Sequence, residues 1–268
     1  MARNKAVPDT EIRNLYRLIR GSREFVQDPL ADIFAASCGT AGSFLSGLFC
    51  RSVQQFSTYK SHEGIPFRPE GRPKIQERWH KNKGKEFAKR LAYLMAGGKT
   101  SGNFPYAYID DELSFRRTPG AGAPKSGQGG VDVLLCSQDA VRLPVIGEIK
   151  AASDPSTPFA GLVQALTYAS ELVTDSQCHR LVQAYPNRFF CAGNIPEGPR
   201  VEILLIIEQR EEKNAKEIQR LDCAYSLVKT LMKEKAFSER IRSIACLSAA
   251  IPKEAAEFIE IFRFGAVQ

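Results

Sequence analysis

The run Val201-Glu202-Ile203-Leu204-Leu205-Ile206-Ile207-Glu208 restricts the fold more than any other feature of the chain. Six of its eight residues are large aliphatics in a nearly unbroken series. Such a strand has no solvent face and belongs at the buried centre of a sheet. The layers that cover it are predicted from the segments around it. Residues 9–26 read as a helix with Ile12, Leu15, Tyr16 and Ile19 on one side, capped by Asp9 or Thr10. Residues 74–95 carry a second helical stripe that Gly97-Gly98 stops and Gly84 can break midway. Ser156-Thr157-Pro158 is a cap followed by proline at the first helical position, opening a helix to about residue 173. Residues 211–235 make a long amphipathic helix. Short strands are predicted at 107–109, 112–117, 131–136, 143–151, 244–247 and 258–264. Helices and strands in this order predict an α/β fold, a central mixed β-sheet flanked by helices.

At 268 residues the chain buries a sizeable core without disulfides or structural metal. Its seven cysteines form no C-x-x-C pair and no secretory leader is recognisable, so they read as reduced thiols of a cytoplasmic protein. Residues 29–50 come closest to a membrane segment. They hold Asp32 and many small residues, and Cys38-Gly39-Thr40-Ala41-Gly42 should interrupt a helix, so two short buried helices are expected and no membrane span. Residues 118–130 are too rich in Gly and Pro for any regular element.

Charge is lopsided. Residues 1–125 hold 21 Lys and Arg against 12 Asp and Glu, or +9, while the remainder holds 16 against 18, or −2. Nine basic residues fall between Arg68 and Arg90: Arg68, Arg72, Lys74, Arg78, Lys81, Lys83, Lys85, Lys89 and Arg90. A stripe of this kind suits a phosphate backbone, although a solvated helix face produces it equally well.

Three ionisable residues interrupt strands that should be buried. Asp132 is second in Val131-Asp132-Val133-Leu134-Leu135, and Glu148 and Lys150 lie in Val145-Ile146-Gly147-Glu148-Ile149-Lys150. Alternate residues of a strand share a face, so Glu148 and Lys150 point together while Ile149 enters the core. A hairpin closing around residues 137–143 brings Asp132 nearly opposite Glu148. Two carboxylates and an ammonium on one patch are costly unless they serve a cation. Mg²⁺ takes hard oxygen ligands, often one or two carboxylates with substrate phosphate, and then activates water. Alone, D…E-x-K is a loose pattern that amphipathic strands also generate.

Gly130-Val131-Asp132-Val133-Leu134 followed by Gly147-Glu148-Ile149-Lys150 resembles the signature of the PD-(D/E)XK nuclease superfamily, with Val131 where the name has Pro. Gln164-Ala165-Leu166-Thr167-Tyr168 is similar to the Q-x-x-x-Y helix motif of its RecB-like and lambda-exonuclease-like branch. The resemblance implies a restriction-endonuclease-like core over residues 71–268, with 1–70 as an N-terminal helical extension. It implies Mg²⁺ or Mn²⁺ bound by Asp132, Glu148 and the Ile149 carbonyl, with Lys150 at the scissile phosphate or the attacking water and Gln164 and Tyr168 shaping the site. The acidic residue that the family places on the preceding helix maps to Glu86, with Glu77 as the alternate. The implied activity is phosphodiester hydrolysis with nucleic acid, DNA foremost, as partner. A catalytically silent nucleic-acid-binding module on the same fold is the rival, and an unrelated α/β protein with solvent-facing acidic strands is the third reading.

Other signals carry less. Gly97-Gly98-Lys99-Thr100 follows a helix where a phosphate-binding loop needs a strand. His62, His80 and His179 have no metal-ligand spacing, and no serine has nucleophile-elbow context.

Overall fold

The computed structural model describes residues 9–21, 38–58, 67, 73–81, 87–102, 104–116, 130–152, 158–209 and 215–265. Helices α1 (Glu11–Gly21), α2 (Cys38–Ser57), α3 (Ile75–Lys81) and α4 (Phe87–Ala96) precede strands β1 (Tyr106–Leu113), β2 (Val131–Ser137) and β3 (Pro144–Lys150). Helices α5 (Pro158–Leu172), α6 (Asp175–Ala184) and α7 (Phe190–Gly193) lead to β4 (Val201–Glu208). Helices α8 (Ala215–Leu231) and α9 (Lys235–Ser238) then lead to β5 (Ile241–Ala250) and β6 (Glu257–Gly265).

The strands form one mixed sheet in the order β1-β2-β3-β4-β5-β6. The pairs β3–β4 and β4–β5 are parallel and the other three antiparallel. The apolar run 201–208 is therefore an inner strand, paired on both edges. Its alternate residues feed two different cores. Ile203 and Leu205 join Leu134, Ile146, Ile244 and Cys246 beneath α1, α2, α5 and α8. Leu204 and Ile206 join Val133, Leu135, Val145 and Ile149 beneath Ile75 of α3 and Leu91, Leu94 and Met95 of α4.

Two expectations change, and one that allowed for a midway break is sharpened. The segment 38–42 is itself helical, the start of the 20-residue α2, while residues 29–37 lie outside the described residues. A Cβ on Gly42 would lie 2.4 Å from Thr230 Cγ2, so this glycine lets α2 and α8 touch closely. Packing gained there outweighs the roughly 1 kcal/mol that glycine costs a helix. The stripe at 74–95 spans two helices: the Trp79 and Tyr93 rings stack at 5.9 Å, whereas 14 residues of one helix would part them by about 21 Å. The strands expected at 107–109 and 112–117 are one strand, β1, with a register shift between Tyr108 and Asp110. No described helix is long and apolar enough to cross a membrane.

Helix α5 is the hub of the larger core. Every residue from Phe159 to Leu172 is buried, because the sheet covers one side of it and α1, α2 and α8 cover the others. A helix enclosed on all sides must satisfy any polar side chain internally. The N-terminal helices thus share a core with the sheet, through Ile12, Ile19, Leu45 and Phe49.

Close packing also governs Gly147 in β3. A Cβ there would meet Val133 Cγ2 at 2.4 Å and the Val133 carbonyl oxygen at 3.2 Å. Gly147→Ala is expected to lower stability by about 1–3 kcal/mol through overpacking. Adding Val133→Ala should return part of that loss in a denaturant titration. A double variant no more stable than Gly147→Ala alone would contradict this account.

Candidate active site

The β2–β3 ladder pairs Val133 with Gly147 through Cys136 with Pro144. One step beyond Val133 and Gly147, the register sets Asp132 opposite Glu148, the arrangement expected from the hairpin. Past that point a side chain replaces the ladder. The N–H of Ile149 donates to Asp132 Oδ2 at 2.8 Å. The N–H and C=O of one extended residue leave the strand on the same edge, so the Ile149 carbonyl faces this opening too. The two strands thereby frame a gap with Asp132 on one side and Glu148-Ile149-Lys150 on the other.

Glu148 is 1 % exposed. Its Oε1 takes the Lys150 ammonium at 2.8 Å, and Lys150 Nζ also donates to Gln164 Oε1 at 3.1 Å. Glu148 Oε2 is buried and no donor among the described residues hydrogen-bonds to it, while the Asp132 carboxylate stands close enough to the Glu148 carboxyl for the two to share a proton. Burial, and next the charge of Asp132, push the Glu148 carboxyl well above the ordinary glutamate range; the neighbouring Lys150 pulls it back only in part.

Helix α5 delivers the remaining side chains. Gly161, one turn into the helix, stands so close that a Cβ would lie 3.2 Å from Lys150 Cε and 3.8 Å from Glu148 Cγ. Gln164 follows at 8 % exposure and meets Lys150. Tyr168, one further turn along, is 1 % exposed, and its hydroxyl has no partner among the described residues. Burial and then the Glu148 charge raise its phenol well above the usual tyrosine value. Two buried polar oxygens, neither of them hydrogen-bonded to a donor or acceptor group that satisfies it among the described residues, are unusual in a folded core.

The structure therefore brings Asp132, Glu148, Ile149, Lys150, Gln164 and Tyr168 together. Glu86 lies outside the described residues. Glu77 is exposed in the first turn of α3, and α3 and α4 cover the sheet face opposite to the one that bears Glu148. Within the basic stripe, Arg68, Arg72, Lys83 and Lys85 fall outside the described residues, and Lys74 is exposed. Arg78 is engaged by Asp111 and, at 2.9 Å, by Glu112. Arg90 donates to the Lys253 carbonyl at 2.8 Å.

Two charged residues escaped the reading of the sequence. Glu171, 1 % exposed, sits three residues after Tyr168 and accepts a two-point contact from Arg13 at 2.6 and 2.8 Å. A carboxylate in a helix with no solvent side was the available signal. Arg13 had none, because its partner is 158 residues away.

The donor set fits a hard divalent cation. It offers two facing carboxylates, one of them with an oxygen to spare, and a backbone carbonyl at the same opening. No group of three or more His, Cys, Asp or Glu side chains gathers to hold a metal among the described residues. Mg²⁺ does not require one, since it commonly keeps several waters and takes one or two carboxylates plus substrate phosphate. Comparison of the chain with protein-family models, with curated proteins and with solved structures returns no match.

Proposed function

We propose that this chain is a metal-dependent nuclease with a restriction-endonuclease-like core, hydrolysing phosphodiester bonds with DNA as its substrate. One observation carries the reading: Asp132 and Glu148 face each other where the β2–β3 ladder opens, and Glu148 keeps a buried oxygen to which no donor among the described residues hydrogen-bonds. A pair of amphipathic strands would turn its carboxylates to water. Here one is buried against a lysine.

Asp132, Glu148 and the Ile149 carbonyl would hold Mg²⁺ or Mn²⁺, which supplies activation of water and neutralisation of charge on the phosphodiester. Lys150 places its ammonium on the same face, where it can meet a phosphate oxygen. Gln164 orients that ammonium by accepting one of its hydrogens. The Tyr168 hydroxyl, one turn beyond Gln164, is a donor that no described residue engages. Burial of these groups strengthens each charge interaction relative to water.

Digestion of supercoiled plasmid, linear duplex and single-stranded DNA, with Mg²⁺ and with EDTA, tests the proposal. Metal-dependent cleavage that disappears in the Asp132→Ala protein is the expected result. No cleavage of any substrate with Mg²⁺ or Mn²⁺ would reject it. If the residues between Arg68 and Arg90 hold a phosphate backbone, DNA affinity should fall steeply with salt through counterion release. Joint replacement of Lys81, Lys83 and Lys85 by Ala should flatten that slope. Affinity indifferent to ionic strength would return the stripe to a solvated surface.

A further inference from the structure

We propose that Arg13 is a positioning residue for the Tyr168 phenol, which makes α1 a supporting wall of the active centre. The kinetic half of this inference rests on the nuclease reading; the structural half does not.

Arg13 is buried at 7 % exposure, on a helix whose Glu11 and Arg17 are far more exposed. Its Nε and Nη2 grip the two oxygens of Glu171, and its guanidinium carbon lies 5.6 Å from the centre of the Tyr168 ring. Glu171 and Tyr168 are three residues apart on α5 and so adjoin on its surface. A planar guanidinium clamped by two parallel hydrogen bonds has little freedom to rotate. The ring beside it is held by that fixed cation. A second cation, Arg116, stands 3.8 Å from the same Glu171 and reaches Asp9 at 2.5 Å, just ahead of α1. The helix is thereby tied to α5 at the level of Tyr168 by charge as well as by packing.

Stability alone gives a weak reason for such a pair. A buried ion pair commonly adds little over apolar side chains of similar volume, and such replacements often leave a protein equally stable. Orientation gives a better one. The Tyr168 hydroxyl has no hydrogen-bond partner among the described residues, so what fixes the ring directs it. A small misplacement of a group in an active centre can cost a large factor in rate.

The test separates orientation from folding. Arg13→Met alone strands the Glu171 carboxylate and can unfold the protein, so the main variant is the double replacement Arg13→Met with Glu171→Leu. Its melting temperature is compared with wild type. The Tyr168 environment is read from tyrosine labelled with ¹³C at the ring carbon bearing oxygen, the resonance identified by its loss in Tyr168→Phe. Mg²⁺-dependent cleavage of duplex DNA is measured in parallel.

The expected result is a double variant that melts near wild type, shows a shifted or broadened Tyr168 resonance and loses about tenfold or more in kcat. KM should stay within about threefold, since Arg13 and Glu171 are both buried and engaged with each other. An unchanged Tyr168 resonance in the folded double variant overturns the proposal, and so does unchanged kcat. Should the double variant not fold, Arg13→Lys keeps the charge without the fork and is judged by the same two readouts. A wild-type protein without cleavage would reject the nuclease reading, while the Tyr168 resonance would still decide whether Arg13 sets the phenol.

Discussion

Purified Asp132→Ala and Lys150→Ala proteins are each expected to lose Mg²⁺-dependent cleavage, by at least ~10²–10³-fold in kcat, because charge stabilisation at the phosphate is the largest catalytic contribution this site can make. Their binding to DNA without metal should diverge. Loss of Asp132 relieves repulsion between carboxylate and phosphate, so affinity holds or rises. Loss of Lys150 removes a favourable charge and weakens affinity slightly. Asp132 has a second duty that Ala does not fulfil, since its Oδ2 accepts the Ile149 N–H at 2.8 Å. Leaving a donor in a half-buried site unsatisfied costs about 1–3 kcal/mol. Asp132→Asn retains an acceptor and removes the charge. It should therefore fold better than Asp132→Ala while being equally inactive. Undiminished cleavage by either Asp132 variant would place the chemistry elsewhere.

The second large effect concerns Glu148, whose exchange for Gln should raise the stability of the metal-free protein while abolishing cleavage. The carboxyl is fully buried beside Asp132, and its pKa is raised by that burial first and by the Asp132 charge next. The sign follows from linkage. A group whose pKa is higher in the folded state than in the unfolded one contributes stability below its unfolded pKa. That contribution is lost as pH rises through the folded value. Wild type in EDTA should thus be destabilised progressively as pH climbs above the ordinary glutamate range. Glu148→Gln stays neutral and escapes this, and its carboxamide can still accept from Lys150. Its advantage in melting temperature should be near zero at low pH and largest at neutral to alkaline pH. Each kcal/mol corresponds to about 2–4 °C for a chain of this size. Added Mg²⁺ or Mn²⁺ should raise the melting temperature of wild type by mass action and leave the variant unmoved. A Glu148→Gln protein less stable than wild type at neutral pH in EDTA would mean that the buried carboxylate is well satisfied, contrary to an Oε2 that no described donor engages.

Much of this site was legible in the residues alone. Strand phase is a property of the backbone, and period two suffices to put Glu148 and Lys150 on one face and Ile149 on the other. The hairpin of residues 131–150 then aligned Asp132 with Glu148. Pro158 opened α5, and helical period set Gln164 and Tyr168 one turn apart. The apolar run 201–208 announced an inner strand, and that is where β4 lies, between β3 and β5. Each of these inferences uses geometry that repeats within a few residues, so a linear chain displays it.

Tertiary packing decided the rest. That the β2–β3 ladder opens at Asp132 depends on a side chain taking the Ile149 N–H from the backbone. Only enclosure by α1, α2, α8 and the sheet turns α5 into a helix without a solvent side, which makes Glu171 a buried charge in need of Arg13. The glycines of 38–42 look like a break because helix propensity is local, yet contact of Gly42 with Thr230 reverses that preference. Gly147 and Gly161 are unremarkable letters until Val133 and Lys150 are seen within reach of an added Cβ. In each case the deciding neighbour is remote in sequence. Backbone periodicity carries phase and direction along the chain, whereas the identity of a partner far away is settled only when the elements pack together.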